Sequence, residues 1–194
     1  AISESSDPTW RSARLCKYGG CLEFDGVDDY VDLGDAPLGI SNQITIAAWI
    51  YRKGAPTGTY PYIFVKGDIN AGGGEAYNAD YGLGTNSEGN AIRFVLADSS
   101  GVIQIDISDP IPQNNRWYYY VGTYDGKVAK LYRDGILVNS ASYSLTLPDR
   151  RGDRIRIGTL TRTSGKGYWN GLIDDIRIYN YARTQKQIIE DMNA

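Results

Sequence analysis

Hydrophobic and polar positions alternate with a period of two along almost the whole chain. The strand-like runs are "CLEF", "YVDL", "ITIAAWIYR", "YIFVKG", "YGLGT", "AIRFVLA", "VIQIDI", "WYYYVGTYD", "VAKLYRD", "ILVNSASY", "RIRIGT" and "LIDDIRIYN". Alternation over four to eight residues marks a strand with one face buried. Between the runs stand Gly, Pro, Asn and Asp clusters such as "GDAPLG", "NAGGGEAYN", "NSEGN" and "DPIPQNN", which supply turn conformations. In "AKLYRDGILVNS" the pair Asp134-Gly135 has the residues a two-residue hairpin turn needs. One segment departs from the pattern. "TQKQIIEDM" has Thr184 and Gln187 at capping-box spacing and predicts a short terminal helix docked by Ile188, Ile189 and Met192. The expected class is all-β, an antiparallel two-sheet sandwich with a short C-terminal helix.

Composition sharpens this picture. With 16 tyrosines and 23 glycines in 194 residues, the chain has the makeup of strands and turns, and its length suits one sandwich domain. We divide it into a polar segment 1–13, a linker or edge anchored by Trp10, and a domain over 14–194. The formal net charge of −3 argues against nucleic acid and anionic membranes as partners. The start at Ala1 reads as that of a mature or excised fragment. The absence of histidine excludes His-based zinc sites and Ser-His-Asp or Cys-His nucleophiles.

The two cysteines stand in "CKYGGC", where a short Gly-containing turn lets Cys16 and Cys21 face each other. They form either a disulfide, which would imply an oxidising compartment, or two small buried thiols. The stretch "CLEFDGVDDYVDLG" crowds Asp25, Asp28, Asp29 and Asp32 beside a strand. Such carboxylates either serve a cation together or act as turn and surface groups.

Taken in order, "CLEFDGVDDYVDLG", "ITIAAWIY", "RWYYYVGTYDGKVAKLYRDGILVNS", "RIRIGT" and "YWNGLIDDIRIYNYARTQKQI" resemble the concanavalin A-like domains of laminin-G/pentraxin type found in secreted proteins. The resemblance covers residues 15–192. It implies a two-sheet antiparallel jelly roll whose first and last strands pair, bringing "FDG" to "IDDIRI". It also implies a structural calcium ion held by Asp25 and Asp175, with backbone carbonyls near Gly26 or Gly67, since calcium prefers hard oxygen ligands. Alternatively, Asp25 caps its own turn, Asp28 and Asp29 are solvated, and Asp175 pairs with Arg177 or another arginine.

The same fold houses glycosidases and lyases, so activity must be argued from residues. Glycosidase chemistry needs two carboxylates flanking one bond. The five glutamates, Glu4, Glu23, Glu75, Glu88 and Glu190, do not share a strand, and Asp106 with Asp109 lacks the pattern. The expectation is a non-catalytic, extracellular or cell-surface module that binds a polysaccharide or glycan and sits beside other domains of a larger parent. The alternative is a protein–protein adhesion or architectural module, and a glycan-active hydrolase or lyase is less favoured. Sugar binding would use loop aromatics, because tyrosine pairs an apolar ring with a polar handle. The candidates are Tyr60, Tyr62, Tyr77 and Tyr168, with Asn78, Asp80 and Arg162 for hydrogen bonds and Trp169 as a doubtful member. Trp49, Trp117, Tyr124, Tyr132 and Tyr179 are expected to pack. The arginines of "PDRRGDRIRIG" suit an acidic glycan or form a face balanced by nearby aspartate, and the Arg151-Gly152-Asp153 triplet carries little weight.

Overall fold

The computed structural model describes residues 6–56, 58–67, 79–148, 154–160 and 167–194. Two antiparallel sheets pack face to face. The first, in spatial order, is β1 (Thr9–Ser12), β2 (Gly20–Asp25), β13 (Asn170–Tyr179), β4 (Ile44–Arg52), β9 (Trp117–Tyr124), β10 (Val128–Arg133) and β11 (Ile136–Ser142). The second is β3 (Val31–Asp32), β12 (Ile155–Ile157), β5 (Tyr62–Gly67), β6 (Ala79–Thr85), β7 (Ala91–Ala97) and β8 (Ile103–Pro110). The twelve alternating runs correspond to β2–β13. Residues 9–12 add an edge strand, paired Trp10 to Leu22, inside the segment that composition marked as polar.

The period-two pattern becomes the core directly. On β4, Ile44, Ile46, Ala48 and Ile50 face the second sheet and meet Phe94, Tyr118, Tyr120 and Tyr124 in one cluster. The alternate residues Ala47 and Trp49 face outward, yet they too are buried, with Tyr119, Val121 and Tyr132, under Ile188 of the helix α1 (Gln185–Met192). Thr184 caps α1 in a full capping box with Gln187. The docking residue is Ile188, 1% exposed, whereas Ile189 is 42% exposed and lies over the β10–β11 turn instead. In that turn Asp134 and Gly135 both take positive φ, as the sequence pair requires.

β5, β6 and β7 are buried on both faces. Their inner face joins the main core, and their outer face carries a separate cluster of Tyr62, Val65, Ala79, Val95 and Leu160. The outer surface of the second sheet is therefore not an open trough at its centre.

Cys16 and Cys21 form a disulfide. The Asp174 carboxylate accepts hydrogen bonds from the backbone N–H groups of Lys17 and Tyr18 at 2.8 and 2.9 Å, tying the disulfide hairpin to β13. Lys17 lies 3.9 Å over the Trp49 ring. No helix is long and apolar enough to cross a membrane.

Candidate functional site: an acidic turn and loop tyrosines

β13 does pair with β2, but the register differs from the expectation. Asp25 stands opposite Asn170, and Leu22 opposite Ile173. The "FDG" turn thus meets "WNG". Asp175 lies five residues beyond Asn170, about 17 Å along an extended strand. Asp25 and Asp175 do not share a site. Asp175 sits in a bulge where the β13–β4 register shifts, with φ +47°, and its carboxylate pairs with Arg177 at 2.8 Å. Arg177 continues to Asp191, which also pairs with Arg183, so Asp175 belongs to the network that fastens α1 to the sheet. The bulge also breaks the alternation that would have put Asp174 and Asp175 on opposite faces.

Gly67 is displaced as well. The ladders pair Ile157 with both Val31 and Phe64, and both strands run antiparallel to β12, so the acidic turn precedes Val31 at one end while Phe64 to Gly67 runs toward the other. Gly67 closes β5 at the far end, bonded through its N–H to the Arg154 carbonyl. Only Gly26 remains at the turn, with its Cα packed on Asn170.

What gathers around Asp25 is local. Asp25, Asp28 and Asp29 bring carboxylate oxygens within 4.8 Å of one another. Asp25 accepts from the Val27 N–H at 2.7 Å, and Asp29 accepts from the Asp25 N–H at 2.8 Å. Asp29 is 5% exposed. Burial pushes its carboxyl above the ordinary aspartate range, and the charges of Asp25, Asp28 and Asp7 add to that, against the hydrogen bond from Asp25. No arginine or lysine pairs with these three among the described residues. The fourth aspartate of the run differs. Asp32 pairs with Arg154 at 2.8 Å and Arg156 at 3.2 Å. Burial works to raise its carboxyl, but the Gly34 N–H and the two arginines outweigh it and hold it low. That pairing balances the described arginines of "PDRRGDRIRIG", so they are not a free basic face. Arg150 and the Arg151-Gly152-Asp153 triplet lie outside the described residues.

The acidic turn is the rim of a larger end surface. Gly158 packs against Phe24 and the Asp29 carbonyl, and Tyr168 bridges to Thr159. Gly167 packs closely on Thr59 and Pro61, which brings the Tyr60 and Tyr168 segments together. Tyr168 is half-buried. Burial raises its hydroxyl pKa, reinforced by the charge of Asp28 and moderated by Arg156. The Arg156 guanidinium also lies 5.5 Å from the Tyr30 ring. Tyr60 is half-buried at φ +55°, with Arg93 at 5.1 Å from its ring. Arg93 is itself held by both oxygens of Asp106.

Tyr62 departs from its expected role. It is 2% exposed, and its ring lies over Gly82 and Gly84, where any Cβ would come within 2.8 Å. It is a packing residue of the second sheet. Asp80 is buried too, on β6. Trp169 is 1% exposed within the main core. Trp49, Tyr124 and Tyr132 are buried as expected, Trp117 packs beside Tyr51, and Arg183 stacks on Tyr179. Tyr77, Asn78 and Arg162 lie outside the described residues. Tyr30 and Arg156, which the sequence offered only as parts of strands, join the site through the ladder between β3 and β12.

The glutamates and the Asp106–Asp109 pair weighed for catalysis are, where described, occupied with other groups. Asp106 and Asp109 point to opposite faces of β8: Asp106 holds Arg93, and Asp109 accepts from the Tyr120 hydroxyl at 2.8 Å and pairs with Arg133. Glu23 is held by Arg11 and Lys53. Glu88 accepts from Asn86, and Glu190 pairs with Lys186. Glu4 and Glu75 lie outside the described residues.

A family model described as the concanavalin A-like lectin/glucanases superfamily, of laminin-G type, matches residues 25–189. No curated protein sequence matches. Among solved structures, the chain is similar to domain 4 of AbnA, a GH43 extracellular arabinanase from Geobacillus stearothermophilus, in complex with arabinotriose. That pair has a TM-score of 0.68 and 19% identity over 97% of this chain and 82% of the other. A putative carbohydrate binding protein from Bacteroides ovatus gives 0.67 and 17% over 88% of this chain and 46% of that one, so the chain spans less than half of it. The native heptameric SAP-like pentraxin from Limulus polyphemus gives 0.61 and 17%, over 86% and 78%. At these identities the shared property is the fold.

Proposed function

The chain belongs to the concanavalin A-like lectin/glucanase superfamily, and from that premise we propose that it is a non-catalytic carbohydrate-binding module. The observation that carries this is the convergence of Tyr168 and Tyr60 with the acidic β2–β3 turn at one end of the sandwich. Half-exposed tyrosine rings offer faces for sugar rings, and the surrounding carboxylates and arginines offer hydrogen bonds to hydroxyls. The arabinotriose complex of the arabinanase domain and the putative carbohydrate binding protein make a glycan the leading ligand class. The engagement of Glu23, Asp106 and Asp109 in ion pairs supports a role without catalysis. The disulfide supports an oxidising, extracellular setting, in which the domain is carried by a larger parent protein.

We further propose a calcium ion at the acidic turn, held by Asp25, Asp28 and Asp29. The donor set fits: oxygen ligands alone, mutual repulsion, and a buried carboxylate whose ionisation is opposed until a cation arrives. The ion would neutralise the turn and stiffen the support of Tyr168. A second reading, an adhesion or architectural module, has one observation in its favour. Ile136, Leu137 and Ile189 are exposed together where the β10–β11 turn meets α1.

Retention on immobilised arabinan, xylan and β-glucan tests the proposal, with product release assayed in parallel. The expected result is retention without products, weakened by Tyr168→Ala. Released oligosaccharides would overturn the non-catalytic assignment, and absence of retention on every glycan would overturn the binding one.

A further inference from the structure

Among the described residues Trp10 is the most exposed large hydrophobic, at 69%, and it stands on β1 at the edge of the first sheet. Its ring lies over Gly20, two residues along the neighbouring strand from its ladder partner Leu22. A Cβ at Gly20 would come within 2.3 Å of Trp10 Cζ2, so only glycine lets the indole approach β2 this closely. The ring touches β2 at Gly20 and is otherwise largely open to solvent. No described residue accepts a hydrogen bond from the indole Nε1–H.

The ring stands at the mouth of a crevice of about 190 Å³ lined by Trp10, Gly20, Cys21, Leu22, Ile157 and the 173–176 segment of β13. The crevice has a definite origin. The β2–β13 ladder ends at Leu22–Ile173, just before the bulge, so residues 174–176 peel away from β2 and have no ladder partner on that side. Leu22, Ile157, Ile173 and Ile176 give it apolar walls, and Asp174 and Asp175 line it as well, beside the peptide groups and the indole N–H. The nearby charges are already engaged: Arg11 and Lys53 with Glu23, Lys17 over Trp49, Asp174 with two backbone N–H groups, Asp175 with Arg177.

We propose that Trp10 and the peeled edge of β13 form a binding site for one neutral sugar ring of a glycan, separate from the tyrosine loops. The exposed indole stacks on the apolar face of the ring, and the indole N–H and the unpaired peptide groups of 174–176 serve its hydroxyls. No lysine or arginine lines the crevice, and its two aspartates select against uronates and sulfated sugars. This inference rests on the carbohydrate-binding proposal above, but it concerns different residues.

The test uses the full chain with arabinotriose, soluble arabinan, xylan and β-glucan, and with polygalacturonate as the charged control. Of the four tryptophans Trp10 is the most accessible, since Trp49 and Trp169 are 6% and 1% exposed and Trp117 is half-buried, and the Trp10→Ala chain gives the quenching due to the other three. A bound neutral glycan should therefore protect the quenchable fraction. Trp10→Ala should weaken binding about tenfold, the loss of roughly one ring-stacking interaction. Trp10→Tyr should retain most of it, and Gly20→Ala should weaken binding by lifting the indole without removing it. Thermal midpoints check that each variant is folded. Unchanged affinity in folded Trp10→Ala, a preference for polygalacturonate, or a dimer that Trp10→Ala dissolves would each overturn the site while leaving the loop proposal standing. No binding of any probe by the unmodified chain would overturn both.

Discussion

Replacing Asp29 by asparagine should stabilise the metal-free protein and abolish its response to calcium. Asparagine keeps an oxygen to accept the Asp25 N–H that Asp29 holds at 2.8 Å, but removes a charge that is 5% exposed among like charges. With oxygens within 4.8 Å, two unit charges repel by about 0.9 kcal/mol at the dielectric constant of water and about 3.5 kcal/mol at an effective value near 20. Asp25 is exposed and Asp28 half-buried, so the lower figure governs each pair, and relief of about 1–2 kcal/mol is expected. For a domain this size that is a rise in midpoint of about 2–8 °C in EDTA. The pH dependence follows in sign. A carboxyl raised in the folded state carries no cost below its unfolded pKa near 4, and its cost grows as pH rises toward the folded value. The gap between Asp29→Asn and the unmodified protein should therefore be small at pH 3 and full at pH 7. Calcium reverses the ranking: at one hundred times its Kd it adds about 2.7 kcal/mol to the unmodified protein and little to the variant. Differential scanning calorimetry with EDTA and with Ca²⁺ reads all of this. A lower midpoint for Asp29→Asn in EDTA would refute the repulsion, and an undiminished calcium shift in the variant would place the ion elsewhere.

Two further outcomes follow from the packing. Tyr62→Ala should cost about 3–5 kcal/mol, as for other buried aromatics, and lower the unfolding midpoint, whereas Tyr168→Ala should leave the midpoint nearly unchanged and act on glycan retention; equal midpoints would contradict the burial of Tyr62. Removing the disulfide as Cys16→Ala with Cys21→Ala should cost about 2 kcal/mol in urea unfolding, the loop-closure entropy of so short a ring. A negligible cost would mean that the hydrogen bonds of Lys17 and Tyr18 to Asp174 hold the hairpin unaided.

Local chemistry explains which features the sequence disclosed. Asp134-Gly135 needs only its own backbone preferences to turn, and Thr184 with Gln187 caps α1 through neighbours three residues apart. Alternation gave twelve strands because each buries a face. Register is another matter. Whether Asp25 meets Asn170 or Asp175 is set by the β2–β13 register, which alternation alone does not specify, and the bulge at Asp175 beyond it is not marked by a glycine. Tyr60 and Tyr62 look alike in "GTYPY", and only the paired Gly82 and Gly84 across the ladder decide that Tyr62 is core. Trp10 stands out as a lone aromatic in a polar segment, but Gly20, the glycine that makes room for its ring, lies on the next strand.

The strand that closes the first sheet is the last one the chain supplies. β13 (Asn170–Tyr179) lies between β2 (Gly20–Asp25) and β4 (Ile44–Arg52), so both strands it joins are made long before it. Until it arrives, β1 and β2 with their disulfide form a flap with one unfilled edge, and the wall of the core that holds Phe24 and Ile173 is incomplete. Such non-local pairing slows folding toward the millisecond-to-second range of all-β sandwiches. The domain must therefore mature as a whole, and a chain emerging in stages would expose open β-edges to its neighbours until its final residues dock.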